Sequence, residues 1–113
     1  MNGIIIKVKN IDIARDFYRD VLDLGNPIVD SNFWIEFKLG NFVLALELFE
    51  KYEEQEKDSN ISFFYEIENL NIFKKKLTCN GHSDFFVEEE KLGITILKCK
   101  DPEGNIFAVK ERK

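Results

Sequence analysis

Residues 101–109 read DPEGNIFAV, and residues 40–45 read GNFVLA. In the first stretch Pro102 presets φ, Gly104 tolerates a positive φ, and Asp101 can accept a hydrogen bond from its own backbone two residues on. A tight turn therefore feeds straight into an apolar strand. In the second, the same Gly-Asn pair leads into another apolar strand. GNFVLA at 40–45 matches GNIFAV at 104–109 with an offset of 64 (104 minus 40). Further out, VKNIDI at 8–13 matches IENLNI at 67–72 with an offset of 59 (67 minus 8). Asn10 falls on Asn69, Ile11 on Leu70 and Ile13 on Ile72. Two matches in the same order, on the same kinds of element, mark an internal duplication.

The elements follow from local pattern. Residues 1–8 contain the β-branched run IIIKV and predict a strand. Asn10 is placed as a helix N-cap with Asp12 in the first turn, where the macrodipole favours an acid. Ala14, Phe17, Tyr18 and Val21 recur at helical spacing and predict one apolar face, ending near Gly25 and Pro27. Three extended segments follow, PIVD, FWIEFKL and FVLALEL. The second alternates Phe33, Ile35, Phe37 and Leu39 against Trp34, Glu36 and Lys38. LGN at 39–41 predicts the hairpin turn between the last two. FEKYEEQEKDSN at 49–60 is charged and aperiodic, a solvated linker. The second half repeats the order: strand ISFFYEI, a helix capped by Asn69 and stopped near Gly81, then strands SDFFVEE, GITILKCK and NIFAVKE. A half of roughly 55 residues is too small to bury a stable core alone, whereas two halves suffice.

Composition narrows the function. The net charge of −5 argues against nucleic acid, which needs a basic surface. No apolar run reaches the roughly 18 residues of a membrane span, and no signal peptide opens the chain, so a cytoplasmic protein is expected. Cys79 and Cys99 fit no metal or redox spacing and read as free thiols, with a bridge as the alternative. Eleven Phe, three Tyr and one Trp supply much aromatic surface for a chain of 113 residues.

NIDIARDFYRDVLDLG (10–25) resembles the first helix of the vicinal oxygen chelate superfamily, where an FY pair and a Leu-Gly ending recur. DPEGNIFAVKE (101–111) resembles its closing signature, D-P-x-G-N followed by an apolar, a variable and an acidic residue. The superfamily includes glyoxalase I, extradiol dioxygenases, fosfomycin-resistance enzymes and bleomycin-resistance proteins. The resemblance implies an α+β fold of two βαβββ modules forming a curved eight-stranded sheet with helices on the outer face. It implies one domain over 1–113, with modules 1–48 and 61–113 joined by the linker 49–60, and a homodimer.

In the superfamily's enzymes a divalent ion is held by His, Gln or Glu from four strands, where it polarises substrate oxygens or acidifies water. The resemblance places the first ligand position on Gly3, and the offset of 59 carries it to Ser62. The acidic position of the closing signature falls on Ala108, and the offset of 64 carries it back to Leu44. Three of these four carry no donor and Ser is a feeble one, so no metal and no cofactor are expected. His82, the sole histidine, lies in a loop and reads as surface. No Cys–His or Ser–His pair falls on neighbouring strands, so no catalytic residue is assigned.

Strand alternation places Ile5, Lys7, Phe42, Leu46, Phe64, Glu66, Ile106 and Lys110 with those four positions, lining a cleft. Trp34, Glu36 and Lys38 face away from the Phe33–Ile35–Phe37 side. The expected ligand-binding set is Lys7, Trp34, Glu36, Phe42, Leu44, Ser62, Phe64, Glu66, Ile106 and Ala108, with Phe42, Leu44 and Phe64 forming plain core as the alternative. Such a surface suits a small aromatic or cationic molecule, with Glu36 and Glu66 reinforcing the aromatic attraction for cations. The expected function is metal-free sequestration of a small molecule, in the manner the bleomycin-resistance resemblance implies. The alternative is a metal-dependent lyase or dioxygenase of the same superfamily with its ligands assigned to the wrong residues.

Overall fold

The computed structural model describes residues 2–49, 62–82, 85–91 and 93–112. The chain divides into two compact units, Met1–Ser59 and Asn60–Lys113. Residues 50–60 of the expected linker lie outside the described residues.

The first unit runs β1 (Asn2–Val8), α1 (Ile11–Asp16) continued by a π-helical turn (Phe17–Val21), β2 (Val29–Asp30), β3 (Trp34–Leu39) and β4 (Phe42–Leu48). Its sheet has the order β1-β4-β3-β2, with β1 parallel to β4 and the other pairs antiparallel. The second unit runs β5 (Phe63–Ile67), α2 (Leu70–Cys79), β6 (Phe85–Lys91), β7 (Ile94–Lys100) and β8 (Ile106–Glu111). Its order is β5-β8-β7-β6, again with one parallel pair, β5 and β8. The protein is thus α+β, and each unit is βαβββ.

The duplication extends to single hydrogen bonds. Asn10 Oδ1 accepts from the Ile13 amide at 3.0 Å, and Asn69 Oδ1 accepts from the Ile72 amide at 3.0 Å. Each cap satisfies one of the orphan donors of its helix. The 101–105 turn is closed by Asp101. Its Oδ1 accepts from the amides of Glu103 (2.9 Å) and Asn105 (2.8 Å), and its Oδ2 accepts from Asn105 Nδ2 (2.9 Å). The buried carboxylate therefore holds the turn with three hydrogen bonds, and Gly104 supplies the positive φ. At the β3–β4 hairpin Gly40 takes the positive φ that opens a two-residue turn.

In the first unit Ile35, Phe37, Leu44 and Leu46 are fully buried beneath Ala14, Phe17 and Tyr18, with the Tyr18 and Phe37 rings 6.3 Å apart. In the second, Phe63, Leu97, Phe107 and Val109 of the sheet and Leu70, Phe73 and Leu77 of α2 are buried, and Phe63 stacks on Phe107 at 5.5 Å. Glu111 lies on this helix side, where its carboxylate accepts from the Leu70 amide at 3.1 Å.

Two expectations about the core are corrected. Val21 is only half-buried and Leu22 takes its place, at 4% exposure. The Leu22 amide donates to the Phe17 carbonyl at 2.9 Å, a five-residue step that widens the turn and moves the buried position on by one. Phe33 lies outside the core, at 65% exposure, because it precedes β3 in a turn held by Ser31, whose hydroxyl donates to the Trp34 carbonyl at 2.8 Å.

Candidate functional site

Each sheet has one face covered by its helix and one face left open. Strand register assigns the residues, because directly paired residues lie on the same face. On the open face of the first unit, one row runs Ile5–Ala45–Glu36–Val29 and the next Lys7–Glu47–Trp34. A third runs Gly3–Val43–Lys38. Lys7, Trp34 and Glu36 therefore lie on one face of this sheet. Trp34 Nε1 donates to Glu36 Oε2 at 2.7 Å, which fixes the indole beside a half-buried carboxylate.

The Trp34 turn is itself anchored to the helix. Arg15 donates to Asp12 (2.7 Å), to Asp30 (2.8 Å) and to the Ser31 carbonyl (3.1 Å). The hydrogen bond to Asp12, then Asp30, outweighs partial burial and raises the Arg15 pKa, so the clamp stays charged.

Phe42 and Leu44 are corrected, and Leu46 with them. Phe42 pairs with Asn2, Leu44 with Ile4 and Phe37, and Leu46 with Ile6 and Ile35, all on the helix side. The offset of 64 was one residue too long for this strand. Phe64 pairs with Ala108, its counterpart Ile5 pairs with Ala45, and the true offset is 63 (108 minus 45). Leu44, Leu46 and Leu48 in FVLALEL already mark the buried face, and that alternation was the signal for the correct register. Glu47, which the longer offset turned away, lies on the open face two residues from Ala45.

On the open face of the second unit the rows are Phe64–Ala108–Lys98–Val87, Glu66–Lys110–Ile96–Glu89 and Ile106–Lys100. Phe64 is 66% exposed, Ile106 is exposed, and Ser62 lies exposed just ahead of β5. Glu66, expected to serve a cation, is held by Lys110 Nζ and Arg112 Nε, both at 3.4 Å. Lys98 belongs to the central row and lies outside the expected set, although the alternation of ITILKCK turns it away from the buried Leu97 and Cys99. Cys79 and Cys99 are both free thiols. Burial pushes the Cys99 thiol up to about 12, so it is no nucleophile at neutral pH.

The positions implied for a metal do not fit one. Ala45 and Ala108 have no donor atom. Gly3 lies so close to β4 that a Cβ there would clash with the Val43 carbonyl oxygen. A ligating side chain at residue 3 requires the strand backbone to move. No cluster of three His, Cys, Asp or Glu with metal-site geometry occurs among the described residues.

A family model described as a glyoxalase-like domain matches residues 1–112. No curated protein matches the chain. A lactoylglutathione lyase from Agrobacterium tumefaciens superposes with a TM-score of 0.75 at 18% identity, over 98% of this chain and 92% of its own. A glyoxalase/bleomycin resistance protein from Albidiferax ferrireducens gives 0.78 at 12% identity, over 100% and 98%. An integron cassette protein from the mobile metagenome of the Halifax Harbour sewage outfall gives 0.77 at 21% identity, over 99% and 97%. At these identities the structural likeness is one of fold.

Proposed function

The chain belongs to the glyoxalase-like domain family of the vicinal oxygen chelate superfamily, and from that premise we propose that it is a metal-free protein that binds and sequesters a small molecule. The observation that carries this reading is Gly3, where the chain offers no donor and β4 leaves no room for one. A relative that lost a ligand by side-chain substitution alone would keep space for it. Here the space is taken by a backbone carbonyl, which a rotamer change cannot clear.

The ligand surface of the first unit centres on Trp34 and Glu36, with Ile5, Ala45 and Lys7 around them. An indole face next to a carboxylate favours an aromatic or cationic molecule. Trp34 spends its one N–H on Glu36 Oε2, which leaves the ring face and the second carboxylate oxygen for the ligand. The reading keeps the expected single domain of modules 1–48 and 61–113 with linker 49–60. It also keeps the curved eight-stranded sheet and the homodimer, which rest on the resemblance, and the cytoplasmic setting expected from the sequence. The competing reading, a metal-dependent lyase or dioxygenase, draws on the lactoylglutathione lyase, whose likeness at 18% identity reaches the fold alone.

Two measurements test the proposal. After equilibration with zinc, nickel, manganese and ferrous iron and removal of excess, emission spectroscopy is expected to find far less than one ion per chain. A stoichiometric ion overturns the metal-free reading. Trp34 is the sole tryptophan, so its emission reports directly on the site. Titration with benzylamine is expected to change that emission saturably, and Glu36→Gln to weaken binding by about tenfold or more, the loss of one charge-assisted contact. An unresponsive indole, or a variant with unchanged affinity, removes Trp34 and Glu36 from the site.

A further inference from the structure

We propose that the open face of the second unit is an anion subsite that takes a small aromatic carboxylate across Phe64, Ala108 and Lys98. The proposal rests on the reading of the open faces as ligand surfaces, and goes beyond it by assigning the second face the opposite charge preference from the first.

Register is the starting point. The two units share strand order and pairing sense, so each open-face residue of one has a counterpart in the other. Ile5–Ala45–Glu36 corresponds to Phe64–Ala108–Lys98, and Lys7–Glu47–Trp34 to Glu66–Lys110–Ile96. The alanine at the middle of the central row is kept. The charges around it reverse, from Glu36 to Lys98, from Glu47 to Lys110 and from Lys7 to Glu66. Lys38 and Lys100 are the charged pair that keeps its sign. The face that centres on a carboxylate in the first unit centres on an ammonium in the second.

The remaining charges strengthen that polarity. Register also brings Glu89 of β6 to this face beside Ile96, and Glu66 lies 3.4 Å from both Lys110 and Arg112. The charge of Glu66 is thus offset locally, and the three lysines Lys98, Lys100 and Lys110, with Arg112 beside Glu66, outnumber the two acids Glu66 and Glu89. Lys98 already has a partner within the protein, and a lysine ammonium carries three donors, so a ligand carboxylate takes a further one.

Shape points to a flat body on the other end. Phe64 is a full phenyl ring at 66% exposure on a sheet face, where an aromatic side chain gains most from being covered. Ala108, between Phe64 and Lys98, leaves a shallow notch where a larger residue would fill the row. Neighbouring strands lie about 4.8 Å apart, so the backbones carrying Phe64 and Lys98 are roughly 10 Å apart. That span fits a single aromatic ring stacked on Phe64 with its carboxylate reaching the lysine over the alanine. A charged end and a stacked ring together explain why both groups stand on one row.

The test uses the full chain and sodium benzoate as probe, followed by amide shifts in two-dimensional NMR. Saturable shifts are expected at residues 64, 98 and 108. Lys98→Gln is expected to weaken benzoate at least about tenfold while Lys75→Gln, at an exposed position of α2, leaves it within about twofold. Phe64→Leu, which keeps an apolar surface but removes the ring, is expected to weaken it severalfold. Absence of saturable shifts at millimolar benzoate overturns the proposal. Shifts spread equally over other lysines, such as Lys74–Lys76 of α2, or an affinity untouched by Lys98→Gln, overturn it as well. Benzylamine with Glu36→Gln, read by Trp34 emission, reports on the first face separately. Failure of the carboxylate subsite is thereby distinguished from failure of the first face as a ligand site.

Discussion

At position 3 a single added carbon would clash with the Val43 carbonyl oxygen. Two effects compete when Gly3 becomes alanine. Replacing glycine within a strand ordinarily stabilises by about 0.5–1 kcal/mol, because the unfolded chain loses freedom. Overpacking against an atom that cannot yield costs about 1–3 kcal/mol or more. The contact is with backbone, so the clash wins, and Gly3→Ala is expected to lower stability in urea unfolding at unchanged slope. A variant as stable as the parent, or more so, would show that β1 and β4 can part there, and the steric basis for excluding a ligand would go with it. This residue also marks the limit of what could be read from sequence. The Asn10 and Asn69 caps and the Asp101 turn were legible because donor and acceptor lie within four residues of each other. The neighbour that forbids a side chain at Gly3 lies on another strand, and no local pattern announces it.

The elements were legible in order and type, with misreadings where spacing alone was used to set a position. A helical period of 3.6 puts Val21 on the buried face after Phe17, but the chain widens to a π turn and Leu22 arrives there instead. The expected consequence is unequal cost. Leu22→Ala should lose about 2–5 kcal/mol, as for a buried leucine, whereas Val21→Ala should lose less than about 1 kcal/mol. Equal losses, measured by chemical denaturation of the two variants, would restore the regular helix over 17–21. The register of β4 failed for a related reason. β4 and β8 each begin directly after the Asn of the turn dipeptide Gly-Asn, and a repeat offset taken from that dipeptide assumes that the residues after it also pair alike. Pairing shows one residue of difference, and in a strand one residue exchanges the two faces. That is why Phe42 and Leu44 left the candidate surface while Ala45 and Glu47 entered it, although the strand itself was identified correctly.

For the molecule as a whole, charge acts at two ranges. The net charge of −5 creates a long-range field that attracts any cation and repels any anion. The two open faces act locally, one through Glu36 and the other through Lys98. Salt separates these contributions, since the screening length falls from about 30 Å at 0.01 M to about 10 Å at 0.1 M. For benzylamine, the local and the long-range attractions are both screened, and affinity should fall clearly as salt rises. For benzoate, the local attraction weakens but the long-range repulsion weakens too, so the two changes offset each other. The ratio of benzylamine to benzoate affinity is therefore expected to decline across that range, measured on one preparation at constant pH. An equal fall for both ligands would mean that neither the net charge nor the sign at residues 36 and 98 governs what the protein holds. Alternation in the sequence could say which residues share a face, but the opposition of charge between the two faces emerged only once strand pairing had aligned Glu36 with Lys98.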